Sequence, residues 1–142
     1  MKAPILGIVT LQRRSEFLRV RNGLRWATPS FVLEAKSRDG WEPPVAVPTQ
    51  LARFGFTVTK KLGSAVHRNR IKRRLKSALL IAAQSHARPG FDYVVIARSP
   101  AETTDFAELV AAFSTAFDKA HSSHGKPPNR NRPQKAQNLP PT

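Results

Sequence analysis

The chain has 142 residues, with 24 Lys and Arg against 9 Asp and Glu, which gives a formal charge of +15 and a pI near 11.6. A charge excess this large argues for a polyanionic partner, while a hydrophobic content of 40% supports one modest core and argues against a wholly disordered polycation. The lack of cysteine excludes a disulfide framework, a cysteine-ligated zinc site, a thiol nucleophile and an ordinary iron–sulfur cluster. No apolar run approaches the roughly 18 residues of a membrane span, and the N-terminus lacks the basic, apolar and small-residue order of a signal peptide, so a cytoplasmic location is expected.

The segment from Met1 to Thr10 is apolar and interrupted by Pro4, and it leads into the run Leu11 to Gly23, which predicts a short basic helix. Ser15 is a candidate cap, and Asn22-Gly23 ends the helix through the left-handed conformation that glycine reaches. Phe31-Val32-Leu33-Glu34-Ala35-Lys36 has strand composition, and the polar, proline-rich run from Arg38 to Pro48 reads as a loop, with Val45-Ala46-Val47 a weak edge strand between prolines. Phe54 to Thr59 alternates large with small residues and predicts a second, half-buried strand.

From Ala65 to Ala83 the apolar positions Ile71, Leu75, Ala78, Leu79 and Ala82 recur at helical spacing. Arg88-Pro89-Gly90 breaks this helix, and Phe91 to Arg98 follows as a strand whose continuous apolar run predicts burial on both faces. Phe106, Leu109, Val110, Phe113 and Phe117 predict a closing helix capped by Thr104 or Asp105. The remainder, 122–142, is basic and proline-rich with almost no apolar residues, and reads as a disordered tail after a single α+β domain spanning 1–121.

The functional signal lies between Lys60 and Lys76, where 17 residues hold eight Lys or Arg and no acid. On a helical wheel with Arg68 at zero, Lys72, Lys76, Asn69 and Arg73 fall at about 40, 80, 100 and 140°, whereas Ile71, Leu75, Ala78 and Leu79 lie between about 280 and 20°. One face therefore packs, and the adjoining face presents cations together. Arg70 and Arg74 project near 200 to 240° and need not share that surface. Such a face suits phosphates arrayed along a nucleic acid, because each neutralised phosphate releases counterions. Arginine forks bind phosphate oxygens, and Asn69 can both donate and accept a hydrogen bond. The competing reading is a merely solvated cationic helix.

The run Thr57-Val58-Thr59-Lys60-Lys61-Leu62-Gly63-Ser64-Ala65-Val66-His67-Arg68-Asn69-Arg70-Ile71-Lys72-Arg73 closely resembles the signature of the protein subunit of bacterial ribonuclease P. Phe17 after an acidic residue, the strands at Phe31-Val32-Leu33 and Tyr93 to Arg98, and the closing helix sit where that family has its counterparts, so the resemblance covers roughly residues 11 to 120. It implies an α-β sandwich in which a central mixed sheet packs against helices and the signature helix forms a left-handed βαβ crossover, contrary to the general right-handed rule.

The resemblance further implies that Lys60, Lys61, Arg68, Asn69, Arg70, Lys72, Arg73 and Lys76 face the catalytic RNA subunit. Between the sheet and the N-terminal helix, a cleft would receive the single-stranded 5′ leader of precursor tRNA, lined by Phe17 and by Phe31, Leu33, Phe56 and Val58 on alternating sheet positions. Ordinary core packing is the rival role for Phe17, Phe31 and Phe56. Lys76 stands where many family members have arginine, and Glu34 where the family often has an aromatic residue.

Neither the scattered acids nor His67, His86, His121 and His124 form a convincing catalytic or metal-binding set. His67, beside Arg68, fits phosphate binding or a helix start better than a general base. The implied mechanism places Mg²⁺ mainly on the RNA, where it activates water for phosphodiester hydrolysis, while the protein screens repulsion and grips the leader. An alternative is a structural RNA-binding protein of ribosomal type without a role in cleavage. A DNA-binding helix fits less well, because no helix-turn-helix pair or dimerisation heptad accompanies the basic segment.

Overall fold

The structure, a computed structural model, describes residues 9–11, 13–39 and 51–122. The expected loop from residue 40 onward, the Val45–Val47 strand and the tail from residue 123 lie outside the described residues. The elements in chain order are β1 (Val9–Thr10), α1 (Arg14–Val20), β2 (Leu24–Ala27), β3 (Phe31–Ser37), β4 (Arg53–Thr57), α2 (Ala65–His86), β5 (Phe91–Ala97) and α3 (Phe106–Ser122), with 3₁₀ turns at Lys60–Leu62 and Ser99–Glu102. The strands form one mixed sheet in the order β1-β4-β5-β3-β2. β4 and β5 are parallel neighbours joined through α2, while β3 runs antiparallel to both β5 and β2.

Side-chain alternation sorts the sheet into two faces. Phe31, Leu33 and Ala35 of β3, Phe54 of β4, and Tyr93 and Val95 of β5 point into the main core, against Ile71, Leu75, Ala78 and Leu79 of α2 and Leu109, Phe113 and Phe117 of α3. Phe31 stacks on Phe113 with ring centroids 4.0 Å apart. The helical spacings read from the sequence thus mark the buried stripes of both long helices. Phe106 is the exception and stays exposed at the start of α3, where Asp105 accepts the Ala107 N–H as the cap.

The opposite face is read most simply in rows across the strands. Register aligns Arg53, Asp92 and Lys36 in one row, Gly55, Val94, Glu34 and Arg25 in the next, and Thr57, Ile96, Val32 and Ala27 in a third. α1 lies over the first two rows, with Val20 and Leu11 packed on Val94. Its N-cap is Arg13 rather than Ser15, and the Glu16 carboxylate accepts the Arg13 N–H at 3.0 Å. Gly23 closes the helix without a positive φ. Glycine is needed there for a different reason, since a Cβ would stand 2.1 Å from the Ala35 carbonyl oxygen.

A buried ionic cluster holds α1 in place. Asp92 has no solvent exposure and accepts hydrogen bonds from Arg19 Nη2 at 2.7 Å, Arg38 Nη1 at 2.7 Å, and Arg53 Nε and Nη2 at 2.8 Å each. Arg53 also donates to Glu16 at 3.0 Å, and Arg19 to the Ser37 carbonyl at 3.2 Å. α1 is therefore tied to the sheet through both Glu16 and Arg19. Burial by itself would raise the Asp92 pKa, but hydrogen bonds from Arg53, Arg19 and Arg38, with the Arg53 charge, outweigh it and hold the carboxyl below its ordinary value. The Asp92 hydrogen bond correspondingly raises the Arg53 pKa against the opposing effect of burial.

Removing the charge at the centre leaves three guanidinium groups with Glu16 as the remaining acid of the cluster, so Asp92→Asn is expected to destabilise the fold by about 3–5 kcal/mol in urea titrations at neutral pH. Because the folded pKa lies below the unfolded value, the Asp92 contribution is complete above about pH 4 and is lost as pH falls through the folded pKa. Acid titrations should show this loss in the parent protein and a shallower fall in the variant.

Candidate nucleic-acid interface

The signature segment begins at the end of β4, turns through the 3₁₀ residues Lys60–Leu62 and enters α2 at Ala65. Gly63, at φ 120°, makes the turn into the helix, a region that side chains rarely adopt, and its carbonyl accepts Arg68 Nε at 3.1 Å. The short path from sheet to helix puts the cations beside the sheet's edge. Lys60, Lys61, Asn69, Lys72, Arg73 and Lys76 are exposed, and Arg68 is half-buried.

The helix divides its cations among three directions. Asn69 and Arg73 face outward, as the wheel predicts. Lys72 and Lys76 turn to the sheet's edge, where they line an open pocket with Leu11, Phe17, Phe54, Gly55 and Phe56. Arg70 and Arg74 turn to the Ser99–Glu102 segment on the other side. Arg74 donates to the carbonyls of Ala101, at 3.0 Å, and Thr104, so it ties α2 to the chain leading into α3. Glu102 lies 2.7 Å from His67 Nδ1 and 3.5 Å from Arg70 Nη1. The basic run contains no acid of its own, yet Glu102 reaches two of its members from a distant part of the chain. No other residue from Lys60 to Lys76 has a carboxylate within ion-pair distance among the described residues.

The pocket is the end of a groove bounded by α1, the open sheet face and α2. Phe17 lies directly over Gly55, where an added Cβ would come within 2.7 Å of its ring. A lone glycine inside a strand often marks such a close approach, and the Phe54-Gly55-Phe56 triplet carries that signal in the sequence. Phe17 is half-buried and Phe56 also lines the pocket. Leu11, Val94 and Ile96 complete this apolar region with Gly55, and no local pattern marks those three in the sequence.

Phe31 and Leu33 are corrections to the expected lining. Both have zero exposure and face the helical layer, so they offer no surface to a nucleic acid. The expectation placed β3 one residue out of phase, and in a strand a one-residue step exchanges the faces. Phe56 and Val58 likewise pack, half-buried, against the main core, although Phe56 also borders the pocket. The groove face of β3 carries Val32 and Glu34 instead, with Glu34 buried and 3.6 Å from Arg25 of the adjoining strand.

The histidines serve separate neighbours. His67 meets Glu102, His86 meets Asp118 at 2.8 Å, and His121 Nε2 lies 2.9 Å from the Tyr93 hydroxyl. Burial and the nearby Arg88 charge lower the His121 pKa to about 4 against an opposing pull from Asp118; His124 lies outside the described residues. Among the described residues no three His, Asp or Glu side chains converge to hold a metal ion, and no helix is long and apolar enough to cross a membrane.

Comparison with known proteins agrees with the signature. A family model described as Ribonuclease P matches residues 8–121. The chain is 44% identical over 107 residues to the ribonuclease P protein component of Brucella suis, covering 75% of this chain and 76% of that protein. It is 40% identical over 119 residues to the Bartonella quintana protein of the same description, covering 82% and 85%. The solved Staphylococcus aureus RNase P protein superposes with a TM-score of 0.62 at 26% identity, covering 80% of this chain and 96% of that one.

Gly55→Val should push Phe17 off the sheet. The expected cost is about 1–3 kcal/mol, typical of overpacking, with the ¹H resonances of the Phe17 ring displaced in NMR spectra; an unshifted ring would show that the groove wall is not seated on this glycine.

Proposed function

The chain belongs to the bacterial ribonuclease P protein family, whose members are RNA-binding components of a tRNA-processing enzyme, and we propose that it assists the RNA subunit in removing the 5′ leader of precursor tRNA by holding both partners at once. The observation that carries this reading is the adjacency of two surfaces: the exposed cations of α2 run without interruption into the groove beside Phe17, with Lys72 and Lys76 lining it.

The outward group, Arg68, Asn69 and Arg73 with Lys60 and Lys61, engages the RNA subunit. These side chains neutralise phosphate and leave Asn69 to read a sugar hydroxyl or base edge. In the groove, the leader lies between α1 and the sheet. Phe17 offers a ring for an unpaired base, a contact that tolerates any sequence, while the lysines at the groove mouth offset phosphate charge. Arg70 sits between the two roles, exposed but drawn toward Glu102.

The carboxylates nearest the groove are occupied by cations: Asp92 and Glu16 by arginines of the cluster and Glu34 by Arg25. These donors do not fit a catalytic metal site, and the proposal places Mg²⁺ on the RNA, where it would activate water and leave a 5′-phosphate on the mature tRNA. The protein's part is electrostatic and positional. It lowers the repulsion between two RNA molecules and fixes the leader relative to the cleavage site.

Two variants separate the surfaces. Arg68→Ala with Arg73→Ala is expected to weaken assembly with the RNA subunit and reduce the salt slope by about 0.7–0.9 per lost phosphate contact. Phe17→Ala is expected to weaken binding of leader-bearing precursor by about 1–3 kcal/mol while leaving leaderless tRNA and assembly unchanged. Unaltered assembly of the double arginine variant, or equal Phe17 effects on both substrates, would overturn the division of roles.

A further inference from the structure

The groove face has a second end, away from α2, where two further arginines meet the surface. Arg25 occupies the same row as Gly55, three strands across the sheet through Val94 and Glu34. Neighbouring strands lie about 4.8 Å apart, so this end is about 14 Å from the glycine on which Phe17 rests. Arg98 continues the groove-facing positions of β5 past Ile96 and sits against the turn between β2 and β3, where its backbone N–H donates to Ser30 at 3.0 Å. Between the ends, Thr57, Ile96 and Ala27 keep partial exposure.

The two arginines are held in different ways. Arg98 is exposed, its Nη1 donates to the Thr28 carbonyl at 2.9 Å, and among the described residues it has no carboxylate partner. Its charge is therefore uncompensated and its guanidinium is oriented in advance. Arg25 instead has Nη1 3.6 Å from the Glu34 carboxylate, with the arginine side chain 30% exposed and that of Glu34 3%. The acid is enclosed and the guanidinium forms the surface above it. A guanidinium whose charge is already balanced gains little from phosphate, but its planar face can still stack on a base. Glu34 thus supports Arg25 and does not confront the nucleic acid.

We propose that Arg25 and Arg98 form a second leader subsite, in which Arg98 binds a backbone phosphate and Arg25 stacks on a base. This rests on the reading that the groove holds the leader. If α2 faces the RNA subunit, nucleotides next to the cleavage site lie by Lys72, Lys76 and Phe17, and those farther upstream reach Arg25 and Arg98. The subsite then acts only on leaders long enough to cross the sheet.

The test is equilibrium binding of precursor tRNAs, with leaders lengthened one nucleotide at a time, to holoenzyme reconstituted with the parent protein, Arg25→Ala, Arg25→Lys or Arg98→Ala. All variants should match the parent on the shortest leaders. Beyond a threshold length Arg25→Ala should bind more weakly by about fivefold, the lower end of the effect of one stacked base, and Arg25→Lys should not restore it. Arg98→Ala should reduce the salt slope by about 0.7, and only on long leaders. Losses equal at every length, no loss at any length, or full rescue by lysine would overturn the subsite. A parent holoenzyme indifferent to leader length would instead overturn the groove reading beneath it.

Discussion

The four hydrogen bonds that Asp92 accepts from Arg19, Arg38 and Arg53 are the constraint from which the rest of this surface follows. α1 is only seven residues long, too short to hold itself together in water, and its buried apolar contacts amount to little more than Val20 and part of Phe17. Its position is set instead by the directional hydrogen bonds of Glu16 and Arg19 to groups on β4, β5 and the end of β3. An apolar patch would tolerate sliding, whereas one guanidinium donating to two fixed acceptors, as Arg19 does to Asp92 and the Ser37 carbonyl, does not. Three guanidinium groups against the carboxylates of Asp92 and Glu16 leave the cluster cationic, in keeping with the character of the groove it borders.

α2 translates that placement into a two-sided device. One stripe is committed to the core, Arg74 is committed to the neighbouring Ser99–Glu102 segment, and the remaining cations look either outward or along the groove. Packing of Ile71, Leu75, Ala78 and Leu79, all without solvent exposure, fixes the rotation of the helix. A change in that stripe would therefore redirect the cations as a group. Charge alone does not explain the arrangement. The apolar stripe decides which charges face outward and which line the groove.

Much of this was legible in the sequence where local pattern and tertiary role coincide. The periodicities of α2 and α3, the doubly buried β5 and the cationic face of the signature segment all rest on residues close together in the chain. Phe31 and Leu33 were placed on the wrong face because β3 is buried on both sides, so its apolar residues do not alternate with polar ones; Glu34, the one polar residue near its middle, marked the groove side. β2 escaped notice because Leu24-Arg25-Trp26-Ala27 is only four residues long. The ionic cluster joins positions 16, 19, 38, 53 and 92, a combination that no local spacing encodes, and Glu102 reaches the basic segment in the same non-local way.

The central claim is that this protein works with RNA and does not cleave by itself. The direct test is cleavage of a 5′-extended precursor tRNA at low magnesium by the ribonuclease P RNA alone, by the protein alone and by the two together. The account predicts no cleavage by the protein, little by the RNA under these conditions, and strong stimulation when both are present. Cleavage by the protein alone, or no stimulation with the cognate RNA, would contradict it.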